Sequence, residues 1–278
     1  MYRITAVLAL AIVSFLSFGC EEIPPTIVPC QTERVILVEE FTGISCVNCP
    51  IGSDKLELLS EQNPGKIVVV GIHAGFFATE YNGFDLKCPD GEALEANYLG
   101  PVSAYPSATI NRKKFQDESE LPLDLTKWAG YIGSEICNRP IATLAVTSTY
   151  QDQDSMATIT VDMTPSTWFT DLLPEDLAIT VMITENNIEG YQKVPSSVSP
   201  TGIKYDYKHK HVLRDVVTNN YSGDVLISKG NTLSAKQTVI SKKIPAGWIP
   251  DNCYIVAFIH YKGEGNKEVL QAIEKKLK

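Results

Sequence analysis

The sequence predicts two consecutive units, an α/β unit in the first half of the chain and an all-β sandwich in the second half. The first half shows a strand, a helix and a second strand in immediate succession, which is typical of a parallel crossover. The second half shows short alternating stretches separated by turn signals, with no convincing long helix before the tail. A chain of 278 residues is long enough for two ordinary domains.

The α/β unit opens with two strands that are predicted to be buried on both faces. Residues 34–41 and 66–73 are near-continuous apolar runs, as expected for the strands of a parallel sheet. A helix over residues 51–62 is predicted between them, and the Asn-Pro-Gly sequence at 63–65 ends it.

An aromatic insert, a third strand and a closing helix complete this unit. The insert covers residues 74–89 and is unusually aromatic for a solvated loop. A short helix follows over residues 90–99, with Asp90 as its predicted cap. The third strand is entered within residues 102–111, and the closing helix covers 125–136. The Asn-Arg-Pro sequence at 138–140 breaks the chain, so the predicted domains are 34–139 and 140–278.

The second unit is predicted from the two-residue period of its strands. Six strands are expected before the tail, and residues 269–277 are expected to form a final strand after a hairpin-like turn at 263–266. The six strands cover residues 142–150, 157–164, 177–185, 211–217, 232–241 and 254–261.

The net charge argues against two classes of partner. It is −9 for the whole chain, and the one cation of the leader makes the mature chain more acidic still. Nucleic acid and anionic lipid both require a basic surface, so neither is predicted as a partner. We interpret the acidity as a contribution to solubility.

The N-terminus is predicted to be a lipoprotein signal peptide, residues 1–19. Its apolar run, residues 4–18, is too short for a comfortable transmembrane helix. The run stops at Gly19-Cys20, which predicts lipid on Cys20 and membrane attachment through it. Leu16 and Phe18 depart from the strict signal, and the alternative is an ordinary secretory leader. Residues 20–33 are predicted to be a solvated, lipidated tether.

Six of the seven cysteines remain if Cys20 carries lipid, and an even number in an exported chain suits disulfides. Two of them form a Cys-x-x-Cys motif, Cys46 and Cys49. The pairing of the other four stays open at this point: Cys30, Cys88, Cys137 and Cys253.

The Cys46/Cys49 motif has three interpretations: a redox pair, half of a metal site, or a structural disulfide. A zinc site needs two more ligands, and because there is no second close pair, metal is the weakest interpretation. The pair follows a buried strand and opens a helix, whose N-terminus stabilises a thiolate. Cys46 is then the predicted nucleophile and Cys49 the resolving thiol.

Glu40 and the Tyr105-Pro106 step are the predicted companions of this pair. Glu40 lies near the end of a buried strand and is suited to relay the proton of Cys49, the alternative being a plain exposed carboxylate. An aromatic-proline step before a strand suits a cis peptide, which would present neighbouring backbone to an extended substrate. The alternative is an ordinary trans proline.

Three segments resemble the thioredoxin superfamily: residues 39–43, 46–50 and 105–112. Together with residues 184–188 and 209–216, they resemble more closely the outer-membrane lipoproteins related to a 28-kilodalton outer-membrane antigen. The resemblance implies a thioredoxin-like domain followed by an immunoglobulin-like sandwich, and an outer-membrane location facing the periplasm or the cell surface. Ser45 and the pair Val47-Asn48 depart from catalytic thioredoxins, which leaves the direction of exchange open.

Two functions are expected from these features. The first is a thiol-disulfide oxidoreductase acting on thiols or disulfides of exported proteins. The second is a non-catalytic surface binding or adhesion protein, in which the Cys46–Cys49 bridge is structural. No cofactor or metal is predicted, because the favoured interpretation of His209 and His211 is a solvated strand face and that of His73 a satisfied histidine at the core edge.

Overall fold

The computed structural model describes residues 32–278 and is rich in β-structure. The predicted leader, Cys20 and Cys30 lie outside these residues. Among residues 32–278, no helix is both long enough and apolar enough to cross a membrane.

A mixed sheet of nine strands forms the centre of the described region. Its first part is built from β1 (Ile36–Thr42), β2 (Ile67–His73), β3 (Ser107–Ile110) and β4 (Leu123–Asp124). β1 pairs parallel to β2 and antiparallel to β3. Every residue of β1 and β2 is buried, as their apolar runs predict.

The second half of the chain is all β between its short turns, as predicted. Its strands are β5 (Ala142–Gln151), β6 (Met156–Pro165), β7 (Leu177–Glu185), β8 (Ile188–Lys193), β9 (Ile203–His209), β10 (Val212–Val216), β11 (Asp224–Ile227), β12 (Lys236–Lys243), β13 (Cys253–Tyr261) and β14 (Val269–Lys276). Three of these, β8, β9 and β11, were not predicted, because their polar and exposed positions interrupt the alternation.

The nine-stranded sheet contains strands from both sides of the predicted boundary at 139/140. Its order is β14-β13-β7-β10-β2-β1-β3-β4, with β11 paired to β7. β2 meets β10 in parallel at the pair Gly71 and Val212, and the Gly71 amide donates to the His211 carbonyl at 2.7 Å. One buried cluster joins the two halves, since Leu37 and Phe41 pack in it with Val256 and Phe258. The division into two domains therefore stays a prediction.

A second sheet, in the order β12-β6-β5, packs against the nine-stranded sheet. Its inward residues Val146 and Ile159 share a buried cluster with Val181 and Ile255 of β7 and β13. Two stacked sheets with one apolar layer between them are the arrangement expected from the alternating pattern.

The helices pack on the first part of the sheet. Helix α1 (Cys49–Gln62) buries Leu56 and Leu59, and α3 (Trp128–Glu135) buries Trp128, all in one cluster with β1 and β3. Helix α2 (Pro89–Ala93) continues as a π-helical turn, Leu94–Leu99.

The predicted cap of α2 is wrong. The N-cap residue is Cys88, whose Sγ accepts from the Gly91 amide at 3.3 Å. Pro89 begins the helix, because its missing N–H costs nothing in a first turn. The Asp90 carboxylate instead accepts from the Val216 amide at 3.1 Å and ties the helix to β10.

The hairpin of β8 and β9, called here the arm (residues 188–209), follows β7 and precedes β10 along the chain. Those two strands pair with each other, and their pair Glu185 and Val212 forms the stem from which the arm extends. Within residues 32–278, β8 and β9 make a two-stranded sheet of their own.

Candidate functional site

Cys46 and Cys49 lie between the end of β1 and the first turn of α1, and they form a disulfide with Cα atoms 5.4 Å apart. Cys49 is the first helical residue, and Pro50 follows it at a position where no donor is lost. The Cys46 amide donates to the Gly43 carbonyl at 3.0 Å. Both residues are almost fully buried, with exposed fractions of 3% for Cys46 and 1% for Cys49.

Glu40 lies in the same region and is buried, so the alternative of a plain exposed carboxylate is wrong. The Ser53 hydroxyl of α1 donates to its Oε2 at 3.2 Å. Burial raises the pKa of the Glu40 carboxyl to about 8, against the lowering effect of that hydrogen bond. Its role as a proton relay remains a prediction.

The Tyr105-Pro106 peptide is cis. The Pro106 ring packs closely on Gly52 in the first turn of α1. A methyl group added at Gly52 would lie only 2.9 Å from the ring and 2.6 Å from Glu40 Oε1. Gly52 therefore permits the close approach of helix, proline and carboxylate, a requirement the sequence analysis did not identify.

Tyr105 takes part through its hydroxyl, which donates to Glu95 at 2.6 Å and contacts the Ala74 carbonyl at 3.2 Å. Burial and the Glu95 carboxylate raise the pKa of Tyr105. Its ring lies 5.3 Å from the ring of Phe77 in the aromatic insert. Tyr105 thus connects the cis peptide to the insert and to the π-helical turn.

The aromatic insert holds the loop before the cysteines. The Ser45 amide donates to the Phe77 carbonyl at 2.9 Å, and a side chain at Gly43 would meet the Phe77 backbone at 2.3 Å. Phe76 beside it is 84% exposed.

The arm covers the other side of that loop. The Gln192 side-chain amide donates to the Cys46 carbonyl at 2.9 Å and reaches the Gly43 carbonyl at 3.4 Å. The Lys193 amide donates to the Ile44 carbonyl at 2.8 Å. Sequence reasoning did not find Gln192, because 146 positions separate it from Cys46 and no motif marks it.

A cavity of about 180 Å³ lies between the arm, α1 and the end of β2. Its wall includes Glu40, Cys49 and Ser53 from the body of the protein and Tyr207 and His209 from the arm. Burial raises the pKa of Tyr207 to about 12. The cavity is therefore lined by a disulfide-bonded cysteine, by a carboxyl with a raised pKa and by the hydroxyl-bearing side chains of Ser53 and Tyr207.

The prediction for His209 is corrected at this cavity. His209 is buried rather than solvated, and its Nε2 lies 3.2 Å from the Tyr191 carbonyl. His73 is buried at the end of β2, as predicted, and its Nδ1 has no hydrogen-bond partner among the described residues. Burial lowers the pKa of His73 to about 3 and that of His209 to about 4. Among residues 32–278, no group of three or more histidine, cysteine or acidic residues is placed to hold a metal ion.

The remaining cysteines within the described part of the chain differ in state. Cys88 and Cys253 are buried free thiols, and burial raises their pKa values to about 11 and about 12. Cys137 is disulfide-bonded. A thiol with a raised pKa stays protonated at neutral pH, so Cys88 serves as the cap of α2 and Cys253 as a residue of the apolar core.

Comparisons with known proteins identify a family and a shared fold. The family model described as outer membrane protein Omp28 matches residues 92–278. HBP35 of Porphyromonas gingivalis is 17% identical with a TM-score of 0.65, and the match covers 90% of this chain and 77% of that one. This similarity shows a common fold.

Two further structures match less closely. A protein from Agrobacterium tumefaciens is 14% identical with a TM-score of 0.48, covering 87% of this chain and 95% of that one. A domain of the outer membrane lipoprotein Omp28 from Porphyromonas gingivalis is 16% identical with a TM-score of 0.33, covering 50% of this chain and 88% of that one. None of the curated proteins matches the chain.

Proposed function

Because the chain belongs to the Omp28 family of outer-membrane lipoproteins, we propose that it carries out thiol-disulfide exchange on exported proteins through Cys46 and Cys49. The observation that carries the proposal is the disulfide at the start of α1 with a buried, protonatable Glu40 on the same cavity. Redox pairs at helix N-termini commonly have this arrangement.

The proposed fold has a thioredoxin-like domain followed by an immunoglobulin-like sandwich. Three features support the first part: the parallel β1–α1–β2 unit, the antiparallel β3, and the cis Tyr105-Pro106 peptide packed on Gly52. The stacked sheets of the second half support the other part.

The proposed reaction begins when a thiolate of the partner protein attacks Sγ of Cys46. The Cys46–Cys49 bond breaks, and its electron pair leaves on Sγ of Cys49. A second partner thiolate then attacks the partner sulfur of the mixed disulfide, and Cys46 leaves as a thiolate. Two electrons have passed to the chain, and the partner now holds a disulfide. Reduced Cys46 and Cys49 would carry out the reverse reaction on a partner disulfide.

Glu40 is proposed to supply the proton that Cys49 takes up as it leaves. With a pKa of about 8, the carboxyl is mostly protonated at neutral pH and is matched to a thiol. Ser53, through its hydrogen bond to Glu40, holds the carboxyl against α1. Pro106 is proposed to shape the groove for the partner, with Tyr105 fixing the loop that carries it.

The partner class follows from the location. Lipid on Cys20 is proposed to attach the protein to the outer membrane, where thiols or disulfides of exported proteins are within reach. The net charge of −9 argues against nucleic acid as a partner.

The test measures insulin reduction by full-length protein purified in detergent, with dithiothreitol as the electron source. We expect turnover that is lost in Cys46→Ser and retained in Cys88→Ser, since Cys88 is a buried thiol whose capping role serine can keep. Equal rates for wild type and Cys46→Ser would contradict the proposal.

A second candidate function is supported by the burial of both sulfurs. With exposed fractions of 3% and 1%, Cys46 and Cys49 also suit a structural disulfide in a surface binding protein. That function predicts a bridge that resists mild reductant, and surface binding that is unchanged in Cys46→Ala.

A further inference from the structure

The arm contacts the loop that carries Cys46, and it faces Cys49 across the cavity. Exchange requires an attacking sulfur to approach Cys46 along the line of the S–S bond. With 3% of Cys46 exposed, a thiol carried on a polypeptide has no approach while the covering groups stay in place. The inference that follows rests on the proposed exchange function and concerns how a partner reaches the site.

The arm makes the hydrogen bonds that an extended polypeptide would make. The carbonyls of Gly43, Ile44 and Cys46 point at the arm and accept from the Gln192 side-chain amide and the Lys193 backbone amide. The bond from the Lys193 backbone N–H to the Ile44 carbonyl is a main-chain contact of the kind by which an added strand is recognised. The end of β8 therefore occupies a place on the chain that fits a strand-like segment.

The arm is attached to the rest of the fold at two residues with left-handed backbone. Asn187 precedes β8 with φ of 61°, and His211 follows β9 with φ of 54°. The two ends are connected at the stem, where the His211 amide donates to the Asn186 side chain at 2.5 Å. Because the arm's strands lie outside the nine-stranded sheet, it can move without breaking that sheet's ladder.

The two faces of the arm are packed unequally. Toward the aromatic insert, Tyr191 stacks on Tyr81 at 3.8 Å, and Phe84 fills the space against Gly190. Toward α1, the cavity of about 180 Å³ separates Tyr207 and His209 from Glu40 and Cys49. Side chains that border a cavity lose contacts there, so the arm is packed less completely toward α1 than toward the insert.

An apolar rim surrounds the covered strip. Val47, between the two cysteines, is 41% exposed, Ile51 in the first turn of α1 is 50% exposed, and Phe76 on the insert is 84% exposed. Surface apolar groups of this size beside backbone acceptors suit a segment of unfolded chain with apolar residues near its cysteine.

We propose that the arm is a displaceable cover, and that an extended segment of the partner polypeptide replaces it on the Gly43–Cys46 strip before thiol exchange. The segment would donate backbone N–H groups to the carbonyls that Gln192 and Lys193 now satisfy. Cys46 becomes accessible only while the arm is displaced about Asn187 and His211.

The first experiment compares full-length wild type with Gln192→Ala, and with Gln237→Ala as the matched control. Gln237 is an exposed glutamine of β12 that donates to Asp162 at 2.7 Å, away from the cysteines. Both dithiothreitol and reduced insulin B chain are used to reduce the Cys46–Cys49 bond. We expect Gln192→Ala to accelerate both reactions by the same factor, about three- to tenfold, because one opening step precedes both attacks. Gln237→Ala should match wild type.

The second measurement is amide hydrogen exchange on the oxidised wild-type protein. We expect the amides of β8 and β9 to exchange faster than those of β2 and β7, and Gln192→Ala to accelerate the arm further. Exchange of the arm only on global unfolding, or unchanged reduction rates in Gln192→Ala, would overturn the inference. Faster reduction of Gln192→Ala than of wild type by dithiothreitol, with no insulin turnover by either protein, would support the arm as a cover and reject the exchange function. Insulin turnover that Gln192→Ala does not change would support the exchange function and reject the arm as a cover.

Discussion

Arg112 and Glu39 form a bidentate ion pair with no exposed side-chain surface. Nε of Arg112 donates to Oε2 at 2.8 Å and Nη2 to Oε1 at 2.5 Å, and Thr109 adds a third donor to Oε2 at 3.0 Å. Arg112 has a left-handed φ of 49°, and its guanidinium lies 4.7 Å from the Phe258 ring. The pair ties β1 to the turn after β3 and to β13.

Glu39→Gln is expected to lower the free energy of unfolding by about 3 to 5 kcal/mol, because it leaves the buried guanidinium without a counter-charge. Urea unfolding followed by circular dichroism measures the change. Glu175→Gln, which breaks the exposed pair with Lys229, is the control and should cost less than about 1 kcal/mol. Equal effects of the two variants would show that the buried pair is not required.

Gly52→Ala and Gly130→Ala are expected to change stability in opposite directions. Both glycines are helical, but a methyl group at Gly52 meets Glu40 and Pro106, whereas nothing lies within 4 Å of one at Gly130. Gly130→Ala should stabilise by about 0.5 to 1 kcal/mol, and Gly52→Ala should destabilise by about 1 to 3 kcal/mol. Thermal unfolding of the two variants decides this, and stabilisation by both would contradict the close packing at Gly52.

Glu40 is expected to make the free energy of unfolding decrease as pH rises from 4.5 to about 8. Its pKa is raised from 4.5 to about 8, so the folded state holds a proton that the unfolded state releases. The stabilisation is complete below pH 4.5 and is lost as pH rises through 8. Urea unfolding at pH 5 and pH 9 should show a decrease that is smaller in Glu40→Gln by a few kcal/mol. An identical decrease in both proteins would refute the burial of a protonated Glu40.

His260 is expected to have the opposite effect at lower pH. It is fully buried between Thr180 and the Tyr261 carbonyl, and burial lowers its pKa from 6.5 to about 3. Its neutral form stabilises the fold above pH 6.5, and this is lost as pH falls toward 3. His260→Gln should therefore lose less stability than wild type between pH 7 and pH 4, measured by urea unfolding. The same loss in both would assign the acid sensitivity to other groups, such as His73.

The sequence predicts the elements around the cysteines well, because each has a strong local signal. β1, β2 and α1 follow from apolar runs and a Pro-Gly stop, and the cis Tyr105-Pro106 step follows from its aromatic-proline pair. Glu40 was singled out because it lies near the end of a buried strand, six residues before Cys46.

The arm and its contacts were not predictable, because their cause is tertiary. β8 and β9 carry mixed polar and aromatic residues that pack on the insert, so neither shows a clean two-residue period. Gln192 reaches Cys46 across 146 positions. The cap of α2 was misassigned because the thiol of Cys88, rather than the carboxylate of Asp90, accepts from a free amide of the first turn, that of Gly91.

The seam at Gly71 and Val212 has a consequence for how the chain can be divided. Expressing residues 34–139 alone would leave β2 with a bare edge of apolar residues, and expressing 140–278 alone would leave β10 unpaired on that side. An unpaired strand edge can pair with a strand of another molecule, so we expect each fragment to aggregate. The Omp28 family match covers residues 92–278, so it runs across the predicted boundary at 139/140 and likewise does not divide the chain there.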